Sequence, residues 1–313
     1  MTLNYLSDGE RDEGTSSPTN NISSKDEAEE VWDIVIKSKS PRFKLNLGEA
    51  WRYRDLMWLF VKRDFIAKYK QTILGPLWHL IQPALTTAMA VFIFNKIANI
   101  GTEGKNAVLF QMAGTIIWSF FSVCLTSTSA TFVTNANIFG KVYFPRIVSP
   151  LSIVISNIVQ MGIMLGLLLV SMLFFFLRGP NPGFEVGEVW MVPIVVSILG
   201  GLSLGLGIIF SSLTTKYRDI AVLITFGVQL LSFASAVQYP LSVLMKQTED
   251  SPWLYNVVKW NPLSILVDTF RNAMLGGEIH YAMVAYTSVF MIFTLLIGIL
   301  FFNRVEKTFM DSV

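Results

Sequence analysis

Charge is scarce in this 313-residue chain: Asp, Glu, Lys and Arg make up 15% of it, against about 25% in an average soluble domain. So few ionised groups cannot cover a surface that faces water on every side. Hydrophobic types supply 52% of the residues, and the composition assigns most of the chain to lipid. A net charge of +2 gives no support to bulk nucleic-acid binding. The single cysteine, Cys124, excludes an internal disulfide and, set in an apolar run, reads as a small packing residue. The two histidines, His79 and His280, stand without any His-Glu-x-x-His, Cys-x-x-Cys or Gly-x-Ser-x-Gly pattern and read as interfacial packing residues. No metal site and no catalytic residue is expected. A nucleotide cradle is missing as well, because "GTEGKN", Gly101 to Asn106, lacks the upstream glycine and the hydroxyl residue of a phosphate-binding loop. No acid lies deep in the central apolar runs, where secondary transporters and proton pumps hold their coupling carboxylates. No selectivity-filter motif occurs either.

What is present begins with a polar tail. Residues 1–40 carry nine acids against four bases, with Ser, Thr, Asn and Gly filling the start. This reads as a disordered segment without the apolar stretch of a signal peptide. Six long apolar segments follow: Leu74–Asn95, Ala107–Val133, Ile147–Leu177, Val189–Leu213, Ile220–Met245 and Ile279–Phe302. Each exceeds the roughly 20 residues that cross a bilayer core. Backbone in lipid must satisfy its own hydrogen bonds, so each is expected as a helix. The expected fold is an all-α integral membrane protein with six transmembrane helices. Its divisions are the tail 1–40, an amphipathic interface helix within 41–73, and the membrane domain 74–313.

An even number of crossings puts both termini on one side. Fourteen bases fall on that side, eight of them between Arg42 and Lys70, against six on the other. The positive-inside rule then makes the terminal side cytoplasmic. The outer stretch from Lys246 to Glu278 is long, at 33 residues. In it, Pro252 and Pro262 suit first helical positions and Gly276-Gly277 suits a stop. Two short amphipathic helices are expected there, sunk in the outer leaflet or re-entrant.

The stretch "VKRDFIAKYKQTILGPLWHLIQP", Val61 to Pro83, joins a basic cluster to the first apolar run. Trp58, Val61, Phe65 and Tyr69 share one helical stripe; Lys62 intrudes on it, and Phe60 falls opposite. Lysine tolerates this by snorkelling toward headgroups. Two roles stay open: an orientation anchor for the first span, and an interface helix resting on a cytoplasmic partner. Pro83 is expected to kink the first span.

Aromatic residues reach 13%, and Phe92, Phe94, Trp118, Phe120, Phe121, Phe233 and Tyr239 lie within apolar runs. Most of these read as lipid-facing or packed residues; aromatic faces also hold sugar rings by apolar stacking without charge. With the hydroxyls of Thr126, Ser127, Thr128, Ser129 and Thr131, such a wall offers weak, exchangeable contacts. The candidate conduit residues are Phe92, Trp118, Phe120, Phe121, Phe233 and Tyr239.

Four ordered runs carry a resemblance: "MWLFVKRDFIAKYKQTILGPLWHLIQP", "NANIFGKVYFPRIVSPLS" (Asn135 to Ser152), "KWNPLSILVDTFRNAMLG" and "FFNRVEKTFMDSV". Together they resemble the permease subunit of polysaccharide ABC exporters, the type-2 ABC transporters that move lipid-linked O-antigen, capsule or teichoic acid chains. The resemblance covers Phe43 to the last residue. It implies an interface helix with Trp58, Lys62, Arg63, Phe65, Lys68 and Tyr69. It implies a coupling loop of Lys141, Val142, Tyr143, Phe144, Pro145 and Arg146 inserted into a separate ATPase, with a smaller contact at Tyr217, Arg218 and Asp219. It also implies an outer gate with Trp253, Trp260, Asp268 and Arg271. Two copies of the chain and two ATPase subunits, which bind the ATP and Mg, would form the exporter in a bacterial inner membrane.

Plainer roles compete for some of these residues. Positive-inside anchoring suits Lys141 and Arg146, and a local ion pair suits Asp268 and Arg271, one turn apart. Rival functions are export of a drug or lipid by a permease of the same superfamily, and a polytopic glycosyltransferase or ligase. The enzyme would need a carboxylate or histidine cluster at one mouth; Glu185, Glu188, Glu249 and Asp250 are the outer acids grouped in pairs, and nothing accompanies them.

Overall fold

The computed structural model describes residues 47–70, 75–139, 141–142, 144–178, 184–217, 219–247 and 252–310. The acidic tail lies outside them. Every regular element among the described residues is helical: α1 (Leu47–Arg52), α2 (Arg54–Tyr69), α3 (Trp78–Ala90), α4 (Ala107–Ser129), α5 (Thr131–Thr134), α6 (Ala136–Phe139), α7 (Val148–Arg178), α8 (Met191–Thr214), α9 (Asp219–Phe233), α10 (Leu241–Gln247), α11 (Pro252–Lys259), α12 (Pro262–Leu275) and α13 (Tyr281–Met310). Pro83 lies inside an unbroken α3. The irregular turn of that span comes later, where α3 runs on as a π-helix over Val91–Ile97.

Five described helices are long and apolar enough to cross a membrane: Leu80–Ile97, α4, α7, α8 and Tyr281–Phe302 of α13. The fifth expected segment, Ile220–Met245, differs. Its helix α9 ends after 15 residues, which at 1.5 Å per residue covers roughly 22 Å, short of a ~30 Å core. The chain then turns, with Ala236 in the left-handed region at φ 49°, and resumes as α10. Unbroken apolarity hid this break; Ser232, Ser235 and Pro240 were the available cues.

Helix α4 sits at the centre, with 72% of its most apolar stretch buried against 17% for the first span. It packs on α3, α7, α8, α9 and α12. Helices α11 and α12 begin at the two expected prolines, and α12 stops at Gly276, whose φ of 80° is left-handed. Asn261 caps α12, accepting from the Leu263 N–H at 3.0 Å. Almost every α12 side chain from Leu263 to Leu275 is buried. Helix α12 is thus enclosed within the protein by α4, α8 and α13.

Small residues set the α8–α13 contact. A Cβ on Gly205 would stand 2.9 Å from the Leu295 backbone nitrogen, and one on Gly298 would stand 2.8 Å from the Gly205 carbonyl oxygen. Two backbones pack this closely only where side chains are absent.

The break after α9 is held by side chains from elsewhere. Asn261 Nδ2 donates to the Ala234 carbonyl at 2.8 Å, and Gln111 Nε2 to the Gln238 carbonyl at 3.0 Å. The carbonyls between belong to Arg271. Its Nη1 donates to Ala236 at 2.8 Å, its Nη2 to Val237, and its Nε to Phe110 at 3.3 Å. The guanidinium also lies 3.8 Å from the Phe110 ring centroid. Gly114 makes the room: a Cβ there would stand 2.6 Å from the Val237 oxygen and would overlap Arg271. Arg271 and Asp268 therefore do not form the expected ion pair; Asp268 accepts from Asn272 Nδ2 at 3.3 Å instead. Backbone oxygens at the break outcompete a carboxylate one turn away.

Two outcomes follow for stability. Gly205→Val should cost about 1–3 kcal/mol by overpacking and lower the melting temperature of the solubilised protein. Gly166→Ala, where a Cβ meets nothing within 4 Å, should leave it unchanged. Arg271→Met should orphan two buried carbonyls at about 1–3 kcal/mol each and open residues 234–240 to protease; wild-type protection in that variant would refute this account of the break.

Candidate functional site

The resemblance makes the loop Lys141–Arg146 a coupling element inserted into a separate ATPase. Its residues divide between two environments. Lys141 and Val142 are exposed. Phe144 and Arg146 are buried, at 5% and 8% relative exposure, and Pro145 is half-buried. Tyr143 lies outside the described residues. Phe144 and Arg146 are thus turned into the protein, and among the described residues of the loop Lys141 and Val142 are the exposed ones.

Phe144 enters an aromatic cluster that joins distant parts of the chain. Its ring meets Phe60 of α2 edge-on at 5.7 Å and Phe139 of α6 at 5.6 Å. Phe139 meets Phe132 of α5 at 5.9 Å, and Phe132 meets Phe302 of α13 at 5.4 Å. Arg146 lies 5.7 Å from the Phe139 ring centroid. Met57, Ile147, Val148 and Ile208 complete the packing. An unbroken run of contacts therefore links the loop to the basic helix α2 on one side and to the last span on the other. The cluster gave no sequence signal, because Phe60 and Phe302 lie far in the chain from the Phe132, Phe139 and Phe144 that they join.

The buried face of α2 is not the expected stripe. Met57, Phe60 and Val61 are buried, and Trp58 is 63% exposed. Phe60, expected opposite the apolar face, is at its centre because Phe144 and Phe139 offer it an aromatic site. Lys62 and Arg63 are exposed and Phe65 is half-buried. The side chains of Lys68 and Tyr69 lie outside the described residues. On the neighbouring loop Tyr217 and Asp219 are exposed, with Lys216 Nζ 5.1 Å from the Tyr217 ring. Arg218 lies outside the described residues.

The six conduit candidates do not form one wall within a single copy. Phe120 and Phe121 are core residues of α4, at 4% and 0% exposure. Trp118 is half-buried against Phe121, ring centroids 5.6 Å apart. Phe92 and Phe233 are exposed on the bundle surface. Tyr239 is half-buried, and its hydroxyl donates to the Phe233 carbonyl at 2.5 Å. The correction has a simple cause. In a helix as central as α4, aromatic rings fill the interior on every side.

At the opposite end, Trp253 and Trp260 are exposed; Trp260 meets Tyr286 edge-on at 5.7 Å. Lys105 Nζ donates to Asn272 Oδ1 at 2.7 Å, and Asn272 Nδ2 donates to the Glu278 carbonyl at 2.9 Å. These bonds tie the α3–α4 loop to the end of α12. Burial pulls the Lys105 ammonium below its ordinary pKa, against the opposing pull of Asp268 and Glu103.

Beside the aromatic cluster lies a cavity of about 410 Å³ between α2, the end of α4, α5 and the start of α7. Arg63, Thr126, Ser127, Thr131, Asn135 and Ser149 are among its lining residues. The hydroxyl run expected in the second span thus does border open space, at the loop end of that span. A second cavity of about 450 Å³ lies between the first span, α4 and α7 and is mostly apolar, with Thr87 and Lys96 in its wall.

Comparison with known proteins agrees with this architecture. The O-antigen export system permease protein RfbA of Klebsiella pneumoniae is 26% identical over 273 residues, covering 87% of this chain and 99% of the relative. The protein of the same name from Myxococcus xanthus is 27% identical over 223 residues, 71% of this chain and 81% of the relative. The polysialic acid transport protein KpsM of Escherichia coli is 24% identical over 252 residues, 80% of this chain and 93% of the relative. The family model described as ABC-2 type transporter matches residues 55–275, a stretch that runs from the basic helix α2 through α12 and takes in both cavities. This chain therefore belongs to the ABC-2 type transporter family.

Proposed function

We propose that this chain is the membrane subunit of an ATP-driven exporter that carries a lipid-linked polysaccharide of the O-antigen kind out of the cytoplasm. The observation that carries the reading is collinear similarity along nearly the whole length of export permeases, 99% of one and 93% of another. A soluble or enzymatic chain would not share that entire span. The scarcity of charge in the apolar runs fits the cargo. A path of aromatic and hydroxyl groups between two copies lets a hydrophilic chain slide without trapping it on fixed charges.

The finer reading has the chain cross the inner membrane six times with both termini in the cytoplasm. The sixth crossing is α9 extended by the turn 234–240 and α10. Two copies form the conduit. The sparsely buried first span and α9, whose Val222, Leu223 and Phe226 are exposed, supply faces for the second copy. Exposed Phe92 and Phe233 then come to line or flank the path between copies.

Two ATPase subunits bind the ATP and Mg and dock at Lys141 and Val142, with Tyr217, Arg218 and Asp219 as the smaller contact. Phe144 passes the motion inward. An exposed loop tip fixed only by its backbone would bend when pushed. A tip anchored by a buried ring moves what the ring touches, here α2 through Phe60 and α13 through Phe139 and Phe132.

Deletion of the gene should abolish surface polysaccharide and leave its lipid-linked precursor inside the cell; an unchanged surface would end the export reading. Phe144→Ala removes packing worth about 3–5 kcal/mol. In the purified complex it should leave ATP hydrolysis largely intact while polysaccharide transport falls. Lys141→Glu should instead weaken copurification of the ATPase. If both variants lose only ATPase binding, Phe144 has no transmitting role.

A further inference from the structure

The cavity between α2, the end of α4, α5 and α7 has a wall chemistry of its own, and it suits one class of ligand. Among the described residues lining it, Arg63 is the one cation and Asp64 the one anion. They are paired: Nε and Nη2 of Arg63 meet Asp64 Oδ1 at 2.9 and 2.8 Å. The wall therefore carries no net charge.

Its polar groups offer bonds of both senses. A threonine hydroxyl has one proton to give and two lone pairs to offer. Thr126 spends its proton on the Ser122 carbonyl at 2.7 Å, and Thr131 spends its own on the Ser127 carbonyl at 3.3 Å. Asn135 spends its amide N–H groups on the Thr131 carbonyl at 3.2 Å and the Ser149 hydroxyl at 3.1 Å. With the carboxylate of Asp64 these side chains form an acceptor wall: two hydroxyl oxygens, an amide oxygen and a carboxylate. Ser127, Thr134 and Ser149 line the same cavity, and their hydroxyls each keep a proton to give. A neutral lining that both takes and gives is poorly matched to a doubly charged phosphate, and to an apolar chain, which does neither. It is matched to a ligand whose O–H groups donate and accept.

We infer that this cavity is a sugar subsite, in which a neutral hexose unit of the glycan donates its hydroxyls to Thr126, Thr131, Asn135 and Asp64. The inference rests on the polysaccharide reading and deepens it. The volume of about 410 Å³ falls in the range of ordinary small-ligand sites, enough for one or two rings and far too small for a folded chain. The position adds a consequence. The lining helix α2 also carries Phe60, the partner of Phe144, so a sugar held there touches the same helix that the aromatic cluster touches. Occupancy of the subsite and movement of the loop act on one rigid element.

Photocrosslinking in cells that make the polysaccharide tests this without knowledge of the sugar. A benzophenone amino acid in place of Thr134, which lines the cavity, should give a slow-migrating adduct that stains after periodate oxidation. The same probe in place of Val289, exposed on α13, should not. Thr126→Val with Thr131→Val should reduce the Thr134 adduct about fivefold or more, since each lost acceptor leaves a sugar hydroxyl unmatched, at an unchanged level of membrane protein. An adduct that contains phosphorus but no sugar would make the cavity a headgroup site and overturn the proposal. A sugar adduct unaffected by the double variant would overturn the acceptor wall. No adduct at Thr134 in cells that export normally would remove the subsite and leave the export reading standing; that reading fails separately, if deletion of the gene spares the surface polysaccharide.

Discussion

A buried carbonyl oxygen must find a donor, and the break after α9 presents several at once. In water such a break is cheap, because solvent supplies the missing bonds. Away from water each unpaired group costs several kcal/mol, so a buried break exists only where protein replaces water. Here three polar side chains do so from three places: Gln111 from the buried central helix, Asn261 from the cap of α12, and Arg271 from its middle. The dependence runs both ways. A fully buried arginine is itself costly, and in this fold the oxygens of the broken segment and the face of Phe110 are what it pairs with. Helix α12, the break and the central helix α4 are therefore one unit, and none keeps its place without the others.

The other end of the bundle is organised by packing rather than by hydrogen bonds. Edge-to-face and tilted phenylalanine contacts resist compression while permitting small rotations, and each adds about 0.5–1.5 kcal/mol beyond its buried area. A run of such rings from α2 to α13 makes a stiff strut. In the proposed exporter the strut lies where a push from a motor would enter, and the glycine-lined contact between α8 and α13 lies directly along it. Because Gly205 and Gly298 put backbone against backbone, displacement of α13 cannot be absorbed by side-chain rearrangement there, and α8 must move with it.

Much of this was legible in the sequence, and the failures share a cause. Long apolar runs announced helices, prolines announced the starts of α11 and α12, and paired glycines announced the stop of α12. These are local signals, and the structure bears them out. The end of α9 was not legible, because an apolar run looks the same whether its backbone is helical or broken; the donors that permit the break come from Gln111, Asn261 and Arg271, distant in the chain. The buried face of α2 was misjudged for the same reason. Phe60 turns inward because Phe144 awaits it, some eighty residues later in the sequence. Phe120 and Phe121 looked like wall residues until the centrality of α4 was known. Asp268 and Arg271 looked like an ion pair because helical spacing was the one geometry the sequence supplied.

The two ends of the molecule use polar groups in opposite ways, and this bears on how one uncharged bundle could serve as a conduit. At the break, donors are consumed by fixed backbone oxygens, which leaves those N–H groups nothing to offer a passing ligand. At the loop end, the Thr126 and Thr131 protons are consumed by carbonyls about one turn back, while their lone pairs remain. The first arrangement holds a shape; the second leaves unspent capacity facing a cavity. A hydroxyl that bonds its own helix keeps its rotamer and loses little entropy when a ligand arrives, so the site is preorganised before it is filled. Its contacts are still individually weak, near 1 kcal/mol each, and a chain held by a few of them can be released by a movement of α2 that breaks them together. Weak neutral contacts on a stiff helix are what a processive carrier of sugars requires, and fixed charge in the same place would hold an anionic carrier long after the motor had turned over.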